Sequence, residues 1–132
     1  MAVENENIKI VELLLARPEI DINYLFKSFS TSYNSRNIGK IGNTKEEALE
    51  KTALHIAVEK ENIKLVQLLL ERPEIDVNIL FKETHKYECT ESKDEIDPFD
   101  YIQKTALYIA VQNGNEEIIN LLLANPKIDV NI

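Results

Sequence analysis

Ala57 to Lys82 reads AVEKENIKLVQLLLERPEIDVNILFK, and Ala2 to Lys27 reads AVENENIKIVELLLARPEIDINYLFK. The two stretches agree at 20 of 26 positions at an offset of 55. A third stretch, Lys104 to Ile132, agrees with Lys51 to Ile79 at 17 of 29 positions at an offset of 53. One unit is used about three times, and such self-similarity is the mark of a stacked repeat.

The repeated unit reads as helical. Ile63, Val66, Leu69 and Leu70 recur at a spacing that gathers them on one helix face. Asn62 precedes that run, with Asn7 and Asn115 in the matching places, where an N-cap side chain accepts a backbone N–H. Pro18, Pro73 and Pro126 follow the leucine triplets and cannot continue a helix, so the helices should end near Ala16, Glu71 and Ala124. In the second and third copies a shorter helix precedes, Thr52 to about Lys60 and Thr105 to about Asn113. Ala53, Leu54, Ile56, Ala57 and Val58 make it apolar on most sides, as suits a helix sandwiched between neighbours.

Thr52-Ala53-Leu54-His55-Ile56-Ala57, the run Ile63 to Leu70 and Asp76-Val77-Asn78 together resemble an ankyrin repeat. Thr105-Ala106-Leu107-Tyr108-Ile109-Ala110 through Asp129-Val130-Asn131 resembles it too, while the first copy has the second helix and Asp21-Ile22-Asn23. The resemblance implies an all-α fold, an ankyrin-repeat solenoid of stacked helix-turn-helix units with extended β-hairpin or finger loops. It implies that Thr52 and His55 fix the helix start and bridge to the next repeat, with Thr105 in the same place and Tyr108 able to do part of this. It also places Asp21, Asn23, Asp76, Asn78, Asp129 and Asn131 in the turns, where Asp and Asn bond nearby backbone.

The chain departs from that pattern in three ways. The glycine that ordinarily ends the second helix gives way to Arg72-Pro73-Glu74-Ile75, with Ile75 as an apolar plug. The periods of 55 and 53 exceed the family's roughly 33 residues by about 20. The array is also incomplete, because the first copy lacks its first helix. The expected organisation is one array over 1–132: a partial repeat at 1–23, a finger insertion at 24–51, a repeat at 52–78, a second insertion at 79–104, and a repeat at 105–132. Ile8, Val11 and Leu15 at one side, and Ile118, Ile119 and Leu122 at the other, are expected to lack full cover. The chain should then belong to a longer array or associate end to end.

The insertions start alike, Tyr24-Leu25-Phe26-Lys27 and Ile79-Leu80-Phe81-Lys82, and then diverge. Over 24–51 the first carries five Lys/Arg against three Glu, and over 79–104 the second carries four Lys against seven Asp/Glu. The shared start suggests that Leu25, Phe26, Leu80 and Phe81 anchor each finger on the stack. Gly39 and Gly42 suggest a turn. Thr44-Lys45-Glu46-Glu47 fits a capping box that would open a short helix.

Composition narrows the function. A net charge of -8 and a pI near 4.8 repel phosphate backbones, so nucleic acid is a poor partner. No apolar run approaches the roughly 20 residues that a bilayer demands, and no membrane role is expected. The single cysteine, Cys89, permits no internal disulfide, and the acidic start lacks the layout of a signal peptide, so a cytoplasmic, intracellular setting is expected. Cys89 and His85 on one insertion are too few for a metal site or catalytic thiol. No cofactor, metal or catalytic residue is expected, and the chain does not read as an enzyme.

What remains is an interaction module. Its expected partner is a protein, bound by the fingers and the concave face of the first helices. Candidate contacts are Glu59, Lys60, Glu61, Gln112 and Asn113 on the helices, with Tyr33, Arg36, Tyr87, Phe99 and Tyr101 on the fingers. Aromatics suit such surfaces because they bury much area at little entropic cost. The alternative is a structural segment of a longer array, whose exposed sides stack on neighbouring repeats or on a second copy.

Overall fold

The computed structural model describes residues 7–34, 43–88 and 99–132. Among these, the helices are α1 (Ile8–Leu15), α2 (Ala53–Glu59), α3 (Ile63–Leu70), α4 (Ala106–Asn113) and α5 (Glu116–Leu123). The strands are β1 (Phe26–Asn34), β2 (Asn43–Lys51), β3 (Phe81–Glu88) and β4 (Phe99–Lys104). Arg36, Gly39, Gly42 and Cys89 lie outside the described residues.

Local chemistry sets the helix ends. The side chains of Asn7, Asn62 and Asn115 accept from the backbone N–H groups of Ile10, Leu65 and Ile118, satisfying one otherwise orphaned donor each. The last helical turns close at Ala16, Glu71 and Ala124, ahead of the prolines. The α4 helix ends on Gly114 at a φ of 71°, and Glu61, its counterpart after α2, adopts a φ of 54°. Glycine takes this left-handed conformation freely, whereas Glu61 holds it at a steric cost.

The core runs through the helix pairs. Leu54, Ile56, Ala57 and Val58 of α2 are buried, with Leu65, Val66 and Leu69 of α3 and Ile109, Ala110, Ile118 and Leu122 of the third copy. Ala57 and Ala110 let α2 and α4 approach closely. Ile75 and Val77 plug the turn that follows α3.

The insertions overturn the all-α expectation. They form a four-stranded antiparallel sheet in the order β1-β2-β3-β4, so the fold is mixed helix and sheet. Each insertion folds on itself as a long hairpin, Phe26 opposite Lys51 in the first and Phe81 opposite Lys104 in the second. The two hairpins then join, because β2 pairs with β3 from Thr44↔Glu88 to Glu50↔Lys82. The short helix expected from Thr44 onward is likewise absent: the segment is strand β2. Glu46, Glu47, Ala48 and Leu49 favour helix by propensity, yet strands on both sides satisfy their backbone groups and tertiary context prevails.

The expected pattern of cover also needs correction. Val11, Ile118 and Leu122 are buried, and Ile8, Leu15 and Ile119 pack partly against the core. Among the described residues the large apolar side chains left open are others: Ile10, Leu13 and Leu14 on α1, Tyr24 and Phe29 in the first insertion, and Tyr108, Val111, Leu123, Val130 and Ile132 in the third copy.

Candidate protein-binding cleft

Side chains alternate between the faces of a strand, so the register sorts the sheet into two surfaces. Leu49 and Lys51 of β2, Phe81 and Glu83 of β3, and Lys104 of β4 share the surface nearer the helices. Together with Glu59 of α2 and Ile109, Gln112 and Asn113 of α4, they line a cleft of about 310 Å³. Leu49, Phe81 and Ile109 supply an apolar floor, and charged or amide groups stand around it.

Duplication shows how the cleft is wired. Lys51 donates to Glu59 at 2.7 Å and lies 5.2 Å from the centre of the Phe81 ring. In the third copy the corresponding pair is Lys104 and Gln112, at 3.4 Å. A carboxylate has become an amide, so this contact leaves the charge of Lys104 uncompensated. Lys104 also stands 5.8 Å from the Tyr108 ring centre. A larger, shallower groove of about 530 Å³ lies between the C-terminal ends of α3 and α5, with Leu70 and Leu121 in its lining. It gathers fewer charged groups than the cleft.

Behind the cleft, Thr52 and His55 hold the start of α2. The Thr52 N–H donates to His55 Nδ1 at 3.1 Å, Thr52 Oγ1 lies 2.8 Å from the same nitrogen, and the His55 N–H donates back to that hydroxyl at 3.4 Å. The Thr105 hydroxyl accepts from the Tyr108 N–H at 3.1 Å. In the turns, Asp21, Asp76 and Asp129 accept locally from the N–H groups of Asn23, Asn78 and Asn131, each at 2.9 Å. The asparagine side chains do something less local. Asn23 donates to the Glu74 carbonyl (2.9 Å) and accepts from the Asp76 N–H (2.7 Å), and Asn78 repeats this with Lys127 and Asp129, both at 2.8 Å.

These rungs join successive copies of one unit, and a family model for ankyrin repeats in three copies matches residues 1–132. This chain belongs to the ankyrin repeat family. No curated protein and no solved structure matches it. Ankyrin repeats are generally protein–protein interaction modules and typically non-enzymatic scaffolds.

On this ankyrin-repeat framework the sequence-derived positions fall into separate groups. Glu59, Gln112 and Asn113 meet in the cleft, while Lys60 and Glu61 are exposed beyond the end of α2. The side chains of Tyr33, Tyr87, Phe99 and Tyr101, like Arg36, lie outside the described ones. Leu49, Lys51, Phe81, Glu83 and Lys104 were missed as cleft residues. The matched eight-residue spacing of Lys51 to Glu59 and Lys104 to Gln112 was the available signal.

His55 Nε2 is buried with no hydrogen bond of ordinary geometry, while backbone of Ile79 and of Lys104, where the third copy begins, lies close by. The ring packs near Phe81, 6.1 Å between centroids. Burial pushes His55 below the usual histidine range, while the backbone of Ile79 and of Lys104 and the Glu59 charge act the other way. The unfolded chain thus takes up a proton near pH 6.5, and the folded one only at lower pH. Stability from this group is complete above about 6.5 and falls as the solution is acidified below it, by at most ~1.4 kcal/mol per pH unit. Urea unfolding between pH 7.5 and 5.5 should show that slope. An NMR titration in which His55 protonates at or above the unfolded value would contradict it.

Proposed function

We propose that the chain, working as one array inside the cell, holds a protein partner in the cleft between the sheet and the first helices. The observation that carries this reading is the cleft itself, an apolar floor of Leu49, Phe81 and Ile109 ringed by Lys51, Glu59, Lys104 and Gln112. Pockets of this make-up bind by an apolar anchor and gain specificity from a few placed polar groups. Lys104, opposite an amide where Lys51 has a carboxylate, suits an acidic side chain of the partner. Lys60, Glu61 and Asn113 would extend the contact, with Tyr33, Arg36, Tyr87, Phe99 and Tyr101 as further candidates on the fingers.

The test is affinity capture from native extract with the wild-type chain and with Lys104→Glu combined with Glu59→Lys, a swap of rim charges. A protein held by the wild type should bind the variant at least about tenfold more weakly, since one mispaired charge costs over 1.4 kcal/mol. Equal retention of that protein by the variant would remove the cleft from consideration.

A further inference from the structure

The rungs between copies have a feature that the cleft does not use. An asparagine carboxamide both donates and accepts, so it fits a carbonyl and an N–H two residues apart. Asn23 uses this against Glu74 and Asp76, and Asn78 uses it against Lys127 and Asp129. Asn131 is the next in the series. Its backbone is prepared in the same way by Asp129, yet among the described residues its side chain makes no hydrogen bond. On the first copy, the Glu19 carbonyl and the Asp21 N–H are the counterparts of Glu74 and Asp76. They too are unengaged among the described residues.

Apolar cover follows the same logic. Val77 is 1% exposed beneath the third copy, while its counterpart Val130 is 60% exposed; His55 is 1% exposed and its counterpart Tyr108 is 53% exposed. The outer surface of the third copy is therefore the surface by which the second copy receives a repeat, left open. The first copy presents the matching side. Leu13 is 72% exposed there, whereas its counterpart Leu121 is partly buried. Across the first junction Arg72 donates to the Leu15 carbonyl and pairs with Glu74. Arg17, the counterpart of Arg72, is exposed and holds Glu19 at 3.7 Å in the same manner. The carbonyl that corresponds to that of Leu15 is Leu123's.

We propose that the chain stacks head to tail on a second copy of itself, Asn131 of one molecule bonding the Glu19 carbonyl and Asp21 N–H of the next. Arg17 of that next molecule reaches the Leu123 carbonyl, and Leu13 covers the exposed Leu123 side chain, as Leu121 lies beside Leu70 within the chain. A second copy fits better than an unrelated protein because both halves of the interface are already used against each other within the chain. The contact is heterologous and does not close on itself, so assemblies lengthen with concentration. It uses no residue of the cleft, so it stands or falls separately from partner binding.

Sedimentation velocity over a roughly hundredfold range of concentration should show the average mass of the wild-type chain rising. Two variants at exposed positions separate the halves: Val130→Asp with Asn131→Ala blocks the tail, and Leu13→Glu with Arg17→Ala blocks the head. Each variant alone should be a monomer of unchanged helical circular dichroism. Mixed together they should form a 1:1 dimer and nothing larger, because one intact head meets one intact tail. A wild-type chain that stays monomeric throughout would overturn the proposal. So would self-association of either variant alone, or a mixture that fails to pair.

Discussion

Phe81→Ala should destabilise the protein by about 3–5 kcal/mol, the usual cost of emptying a buried aromatic site. Phe81 is buried at the root of the second hairpin, with the His55 ring 6.1 Å away and the Lys51 ammonium 5.2 Å from its centre. The loss removes apolar burial, the cation–π contact and part of the cleft floor together. Phe26 holds the same place in the first hairpin, yet it is only partly buried. Phe26→Ala should therefore cost clearly less, about 1–2 kcal/mol on the area it covers. Urea unfolding of the two variants makes the comparison, and equal losses would show that the hairpins are anchored alike. With total stability of about 5–15 kcal/mol for a domain of this kind, the Phe81 variant stands near the threshold of folding.

Ala48→Pro should have the second large effect. Ala48 lies in β2 opposite Phe29 on one side and Thr84 on the other. Proline lacks an N–H and is confined to edge strands and bulges, so at this position it breaks the ladder from within. The informative readout is remote. The amides of Glu83 to Lys86, more than thirty residues along the chain, should exchange with solvent at least about tenfold faster, although their own sequence is untouched. Unchanged protection there would mean that the two hairpins do not share a sheet.

The helical part of the fold was legible because its determinants are local. Apolar spacing, three asparagine caps and three prolines lie within a few residues of the structure they specify, and the duplication repeats the message. The sheet was not legible. Glu46, Glu47, Ala48, Leu49 and Glu50 are comfortable in a helix, and pairing with residues 27–31 on one side and with residues 82–86, beyond α2 and α3, on the other makes them a strand. That information is in no one segment alone.

The cleft was half legible for the same reason. Glu59, Gln112 and Asn113 follow from the placement of the first helices. Phe81 was read as an anchor of its finger on the stack, and it also floors the cleft once the hairpin folds against α2. The turn asparagines were read as bonding their own turns, a role that the neighbouring aspartates fill. Asn23 and Asn78 instead reach across to the next copy, and spacing within one copy cannot reveal a partner 51 residues away.

Strands β2 and β3 flank one helix pair in sequence and pair with each other in space. In a plain repeat array, a unit can be removed or inserted with little consequence beyond its two neighbours. Here modularity is restricted. Excising residues 52–104 would leave β2 without β3 and turn a central strand into an edge. Grafting either hairpin alone onto another array would create the same bare edge, a template for unwanted pairing. For recombination or design, the heritable unit of this protein is two hairpins together with the helix pair between them.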